Sequence, residues 1–190
     1  MDRPTLYFDL GSPYAYLATE RAATVLGVEP RLQPVLVGGI FLERGYGSWG
    51  ETDERAARIG EIEGRTERYG LPPMAWPDGW PNKTLKAMRA TVWAGRLGAG
   101  DAFARAGFRR AFRDGADLSR TEELVTVAGS IGLPAEELPL AIEDQSIKDE
   151  LRAVTEIAWA RGVVGVPCLE VGGEILFGDD RLEAARELQI

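Results

Sequence analysis

The sequence predicts an α/β fold in which the two ends of the chain build one small sheet and a large all-helical insertion separates them. Three observations carry this. Both ends alternate short apolar runs with amphipathic stretches, the middle of the chain carries helical periodicity alone, and glycine or proline punctuates nearly every change of pattern.

Residues 5–9 (TLYFD) form the first short strand, rich in aromatic and β-branched side chains. Gly11-Ser12-Pro13 breaks it, and Tyr14, Leu17, Ala18, Ala22 and Val25 recur at helical spacing up to the stop at Gly27. Residues 31–37 (RLQPVLV) read as a second strand, in which Pro34 suits an edge or a bulge. From about 52 to 149 the pattern is helical: about 52–69, from 82 to 96, 101–113, and near 120–131 behind a capping box of Ser119 with Glu122. A further helix starts over 133–137, with Pro134 in its first turn. The stretch 71–81, with its prolines and tryptophans, is a stiff loop. After a helix at about 146–161, residues 167–171 and 174–177 form a hairpin around Gly172-Gly173, and Asp180 with Glu183 opens a last short helix. The order β-α-β, helical insertion, α-β-β-α matches a thioredoxin-like fold. Its domain is discontinuous, 1–51 with 150–190, and the insertion spans 52–149.

Composition removes several classes of function. The chain has 190 residues, a net charge of −8, 45% hydrophobic and 27% charged residues. The charge argues against a general nucleic-acid or acidic-membrane surface, and no apolar run approaches the ~20 residues of a membrane span. Met1-Asp2-Arg3-Pro4 leads directly into a strand without a signal-peptide pattern, so a cytoplasmic location is expected. There is no histidine, which excludes a Ser-His triad, a Cys-His pair and any His-ligated metal; no metal is expected. One cysteine, Cys168, excludes an intrachain disulfide and a CxxC redox cycle. Sulfur chemistry would need Cys168 or a thiol brought from outside.

Ser12 falls at a strand-to-helix turn. Unpaired N–H groups and the helix dipole favour an anion there, a thiolate included, and such positions depress thiol pKa values below ~8.5. The Ser-Pro pair taken alone is an ordinary helix cap.

The run Phe8-Asp9-Leu10-Gly11-Ser12-Pro13-Tyr14-Ala15-Tyr16-Leu17-Ala18 resembles the opening of the 2-hydroxychromene-2-carboxylate isomerase family, which is close to kappa-class glutathione transferases and more distantly similar to DsbA oxidoreductases. In DsbA-like proteins a Cys-Pro-x-Cys motif occupies this turn; here serine and alanine replace its cysteines. Four more segments resemble the family in order: 34–41, 82–89, Gly162-Val163-Val164-Gly165-Val166-Pro167, and Phe177-Gly178-Asp179-Asp180-Arg181-Leu182.

The resemblance implies a glutathione site. Pro167 would be the cis-proline facing the active-site helix, with Val166 backbone groups pairing with the extended tripeptide. Asp179 and Asp180 would hold the γ-glutamyl end, although helix capping accounts for one of them without a ligand. Arg55 falls where the kappa-like pattern has a lysine on the glycine carboxylate; a solvated surface arginine is the plain alternative. Tyr46 and Cys168 depart from the pattern, which often has Asn and Thr or Ser there. Cys168 reads as a small core residue, with a glutathione mixed disulfide as the other reading.

The implied activity is a glutathione-dependent isomerase: Ser12 stabilises the thiolate, which adds to a conjugated double bond, permits rotation and leaves. Phe41, Tyr46, Trp49, Trp76 and Trp80 would wall an aromatic or otherwise electrophilic small-molecule substrate, and Lys83, Lys86 or Arg89 would meet its carboxylate. The alternatives are a kappa-like glutathione transferase or peroxidase, and a DsbA-like module that has lost its dithiol activity. The resemblance also implies a homodimer.

Overall fold

The computed structural model describes residues 3–45 and 47–189, without the side chains of 41–44. Strand β1 (Thr5–Phe8) is buried along its whole length because it lies inside the sheet. Strand β2 (Arg31–Pro34) runs parallel to it on one side. On the other side lies antiparallel β3 (Cys168–Val171), followed by β4 (Glu174–Phe177), giving the order β2-β1-β3-β4. Residues from the two ends of the chain therefore complete one sheet, in the order the sequence predicts.

Side-chain alternation splits the core between the two faces of the sheet. Leu6, Phe8 and Leu169 point into the larger cluster with helix α1 (Pro13–Leu26). Tyr7 and Cys168 point the other way, among Val35, Ile40, Ala158 and Val163. Between the strands of the two ends come α2 (Val37–Arg44), α3 (Arg55–Arg68), α4 (Leu85–Arg96), α5 (Gly100–Phe112), α6 (Thr121–Ser130), the single turn α7 (Leu138–Ala141) and α8 (Gln145–Ala160). The short α9 (Leu182–Glu187) ends the chain against α1. The larger cluster is continuous from Phe8 and Tyr16 through Phe108 and Phe112 of α5, so the helical segment shares its core with the sheet.

Four local expectations are corrected. The second strand stops at Pro34, on the sheet edge, and the chain turns helical from Val37 instead of staying extended. Asp9, distant in sequence, accepts the Val37 N–H and so supplies the cap of α2. Helix α6 begins at Thr121 with no side-chain cap, because Ser119 turns back to Asp117 through both its N–H and its hydroxyl. The turn α7 starts at Leu138 with Pro139, not Pro134, in its first turn. The last helix follows a 3-10 turn (Asp179–Arg181) and likewise lacks a capping side chain.

Candidate active site

The end of β1, the start of α1 and the 164–167 loop meet at an open cleft of about 920 Å³, at the upper end of the size of small-molecule sites. Ser12 is the N-cap of α1, in extended backbone conformation, with Pro13 in the first helical turn. Its hydroxyl oxygen accepts the Ala15 N–H at 3.2 Å and donates its proton to the Val166 carbonyl at 3.4 Å. The second bond is long, so the proton is available to a better acceptor arriving in the cleft. No acidic residue occupies the first turn of α1 itself, and the nearest carboxylate, Asp9, is buried below the turn on the Gly11 N–H.

The turn carrying Ser12 is tied down on every side. Ser12 N–H donates to the Asp9 carbonyl at 3.0 Å, and Gly11 N–H to Asp9 Oδ1 at 3.0 Å. Trp80 Nε1 donates to the Gly11 carbonyl at 3.1 Å. Gly11 is required by close approach: a Cβ there would stand 2.6 Å from Thr84 Cγ2.

Opposite Ser12, the Val166–Pro167 peptide is cis. Among the described residues no hydrogen bond occupies the Val166 N–H, although both residues line the cleft. Asp179 and Asp180 also line it, on different terms. Asp179 is buried; its Oδ1 accepts from Arg65 at 2.6 Å and its Oδ2 from the Tyr69 hydroxyl at 3.1 Å. Burial raises the Asp179 carboxyl pKa, and the Arg65 charge and Tyr69 hydroxyl work against that rise. Burial alone would lower the pKa of Arg65, but the charges of Asp179 and Glu61 outweigh it and hold the guanidinium protonated. Asp180 is 57% exposed, with Arg65 Nη1 no nearer than 3.9 Å.

Arg55 does not reach the cleft; its guanidinium donates to the Trp80 carbonyl at 3.0 Å. Arg58, Glu61 and Arg65, spaced by three and four residues on α3, form the face that does. The 3.6-residue period puts Arg55 at the edge of that face, and the same period, applied to 58, 61 and 65, was the signal that would have found it. Asp9 was likewise not foreseen, though its place just before Gly11-Ser12-Pro13 marks it. Phe177, half-exposed at the end of β4, is a further lining residue, its ring packed so closely that a Cβ on Gly165 would meet it at 3.1 Å.

Of the aromatic candidates, Trp49 and Trp80 line the cleft, with ring centroids 4.9 Å apart, and Tyr14 meets Trp49 edge-on at 5.9 Å. Trp76 packs instead between Trp80 and Phe112, joining the loop to the core. Tyr46 lies outside the described residues, as does the side chain of Phe41. Of the three cations, Lys83 lines the cleft. Lys86 donates to Thr121 and Arg89 to the Ile142 carbonyl, both away from it. Cys168 is buried, and burial pushes its thiol pKa up.

The model of the DSBA-like thioredoxin domain matches residues 5–188. A 2-hydroxychromene-2-carboxylate isomerase of Sphingobium xenophagum is 27% identical over 184 residues, covering 93% of this chain and 92% of the relative. The solved structure of a 2-hydroxychromene-2-carboxylate isomerase superposes with a TM-score of 0.86 at 20% identity, over 98% of this chain and 93% of that one. The cytosolic disulfide reductase DsbM from Pseudomonas aeruginosa, solved with GSH, superposes with a TM-score of 0.63 at 14% identity, over 99% and 96% of the two chains. Among the described residues no helix is long and apolar enough to cross a membrane. With the strand order, the serine-capped turn and a family match spanning almost the whole sequence, the chain belongs to the DsbA-like thioredoxin-domain family.

Proposed function

We propose that this protein is a glutathione-dependent isomerase of aromatic substrates of the 2-hydroxychromene-2-carboxylate type. The observation that carries the reading is Ser12: a hydroxyl stands at the N-terminus of α1, where the disulfide-exchanging members of the family place a thiol, and its proton is only loosely held by the Val166 carbonyl. The sequence relative with isomerase activity supports the choice of reaction.

The cleft fits glutathione by the chemistry of its groups. Val166 offers a backbone N–H for an extended peptide, Asp180 an exposed carboxylate for an ammonium, and Arg58, whose Nε is held by the exposed Glu54 at 2.8 Å, a cation lining the cleft for a carboxylate. When bound, glutathione supplies a thiolate able to add reversibly to a conjugated double bond and so free it for rotation. Ser12 donates its hydroxyl proton towards the sulfur, and the positive end of the α1 dipole favours the same charge. Serine does not itself attack in this reading, since among the described residues its hydroxyl bonds a backbone carbonyl and a backbone N–H and no side-chain base. Trp49, with Trp80 behind it, offers a flat apolar wall to an aromatic substrate, and Lys83 meets its carboxylate.

Titration calorimetry with reduced glutathione tests the binding, and conversion of a hydroxychromene carboxylate with glutathione recovered unconsumed tests the reaction. Consumption of glutathione by a chloronitrobenzene electrophile, with the chromene untouched, would replace isomerase by transferase. Absence of binding would sink both.

A further inference from the structure

We propose that Asp9 is a positioning residue for the thiol-binding turn: its buried carboxylate joins the Gly11-Ser12 turn to the start of α2 beside Thr84, and so sets where the Ser12 hydroxyl stands. The inference rests on the glutathione reading of the cleft.

Asp9 is wholly buried at the end of β1. Oδ1 accepts from Gly11 N–H and Oδ2 from Val37 N–H, each at 3.0 Å. Its main-chain carbonyl takes the Ser12 N–H. Gly11 and Ser12, Val37 and Gly38, and Thr84 all line the cleft, each from a different segment of the chain. One side chain thus lies at the junction of three walls.

Neither burial nor charge recommends an acid for this place. No described cation forms an ion pair with it, and an unpaired buried carboxylate is expensive. Burial pushes its pKa up, opposed by the N–H groups of Gly11 and Val37 and by the Thr84 side chain. A negative charge beneath the N-terminus of α1 would also oppose a thiolate at Ser12. What does recommend it is valence. Two N–H donors approach two different oxygens, and an amide has only one oxygen to offer. Asn at this position would turn an NH2 group against one of the two N–H donors and leave that donor buried without a partner.

The positioning and charge effects have opposite signs, so one variant separates them. Asp9→Asn is compared with wild type by glutathione calorimetry, by the ultraviolet thiolate absorbance of the bound tripeptide at neutral pH, and by circular dichroism. Positioning predicts an unchanged dichroism spectrum, a Kd raised about tenfold and a weaker thiolate band. A thiolate band that strengthens at unchanged Kd means Asp9 acts only by its charge, and overturns the proposal; so do two unchanged readings. Should Asp9→Asn not fold, Val37→Pro decides. Proline is accepted in the first turn of a helix and deletes the donor to Oδ2, together with the Val37 side-chain contacts to the smaller core cluster, which Val37→Ala removes by itself as the control. The same two changes are expected at reduced size, about threefold in Kd, and their absence overturns the proposal. Wild type that binds no glutathione overturns the reading of the cleft and the proposal together, whereas wild-type binding with unaffected variants overturns the proposal alone.

Discussion

The two ends of the cleft use polar groups in opposite ways. Around Ser12 the groups that face the cleft are lightly engaged: a hydroxyl oxygen 3.4 Å from its acceptor and a Val166 N–H with no hydrogen bond among the described residues. At the Asp179 end the charges satisfy one another. Arg65 is bonded to Asp179 and Glu61, Tyr69 to Asp179, and Arg21 lies 3.6 Å over the Tyr69 ring while bonding the Asp179 carbonyl. Lining a pocket therefore does not make a residue a ligand; its other bonds decide. Asp179 bolts α3 to the 3-10 turn that leads into α9, whereas its exposed neighbour Asp180, 3.9 Å from Arg65, keeps a carboxylate open to an incoming cation.

The sharpest way to break this contrast is at Ser12. Ser12→Ala is expected to lower isomerase turnover about 100- to 1000-fold, the scale of losing one donor to a developing anion, while the glutathione Kd from calorimetry rises far less, by about tenfold, the scale of one hydrogen bond to a charged group. The variant also loses the cap on Ala15 N–H, at about 1 kcal/mol of stability. Ser12→Asp separates the two roles, because it keeps a capping acceptor but sets a negative charge against the thiolate. It should melt near wild type and be as inactive as the alanine variant. Full turnover in Ser12→Ala would remove the hydroxyl from the mechanism.

At the other end the contrast is between adjacent residues. Arg65→Ala leaves the Asp179 carboxylate buried beside one phenol, and urea unfolding should show a loss of about 3 kcal/mol. Asp180→Ala, at an exposed position, should stay within about 0.5 kcal/mol of wild type. Its effect belongs in glutathione affinity, a weakening of about fivefold, as for a surface charge pair worth about 1 kcal/mol. If Asp179 were the ligand and Asp180 mere surface, the affinity effect would vanish from Asp180→Ala.

What the sequence let one read follows the same division. The strand, turn and helix around Ser12 and the hairpin around Gly172-Gly173 are legible because each is written in consecutive residues, whereas the cis-proline at 167 is marked only by the family resemblance. Failures occurred where a partner arrives from afar. Val35 to Val37 look like more strand, but Asp9, 28 positions away, takes the Val37 N–H and Thr155 the Leu36 N–H. Arg65 meets Asp179 across 114 positions, so the helical period marks its face but no local pattern marks its partner. The capping box at Ser119 failed for the converse reason, because a nearer acceptor, Asp117, took the serine first. Arg55 missed the cleft because spacing carried through a loop cannot resolve a rotation of one helical step.

The smallest effect is expected at Cys168, the chain's only native sulfur nucleophile. It follows the cis-proline directly, yet β3 turns its side chain to the sheet face away from α1, among Tyr7, Val35 and Ile40. Burial disfavours its thiolate and so raises its pKa, with the Val164 and Gly165 N–H groups only partly opposing. The sign is clear: at neutral pH even less thiolate is present than in a free cysteine, and none of it faces the cleft. Native protein should therefore react slowly with a chromogenic disulfide reagent and rapidly in urea, and oxidised glutathione should add no mass. Cys168→Ala should cost about 1 kcal/mol as a small core truncation and leave turnover unchanged. A glutathione adduct on the folded protein would reverse the assignment, making Cys168 the reactive sulfur and Ser12 only the cap its sequence resembles.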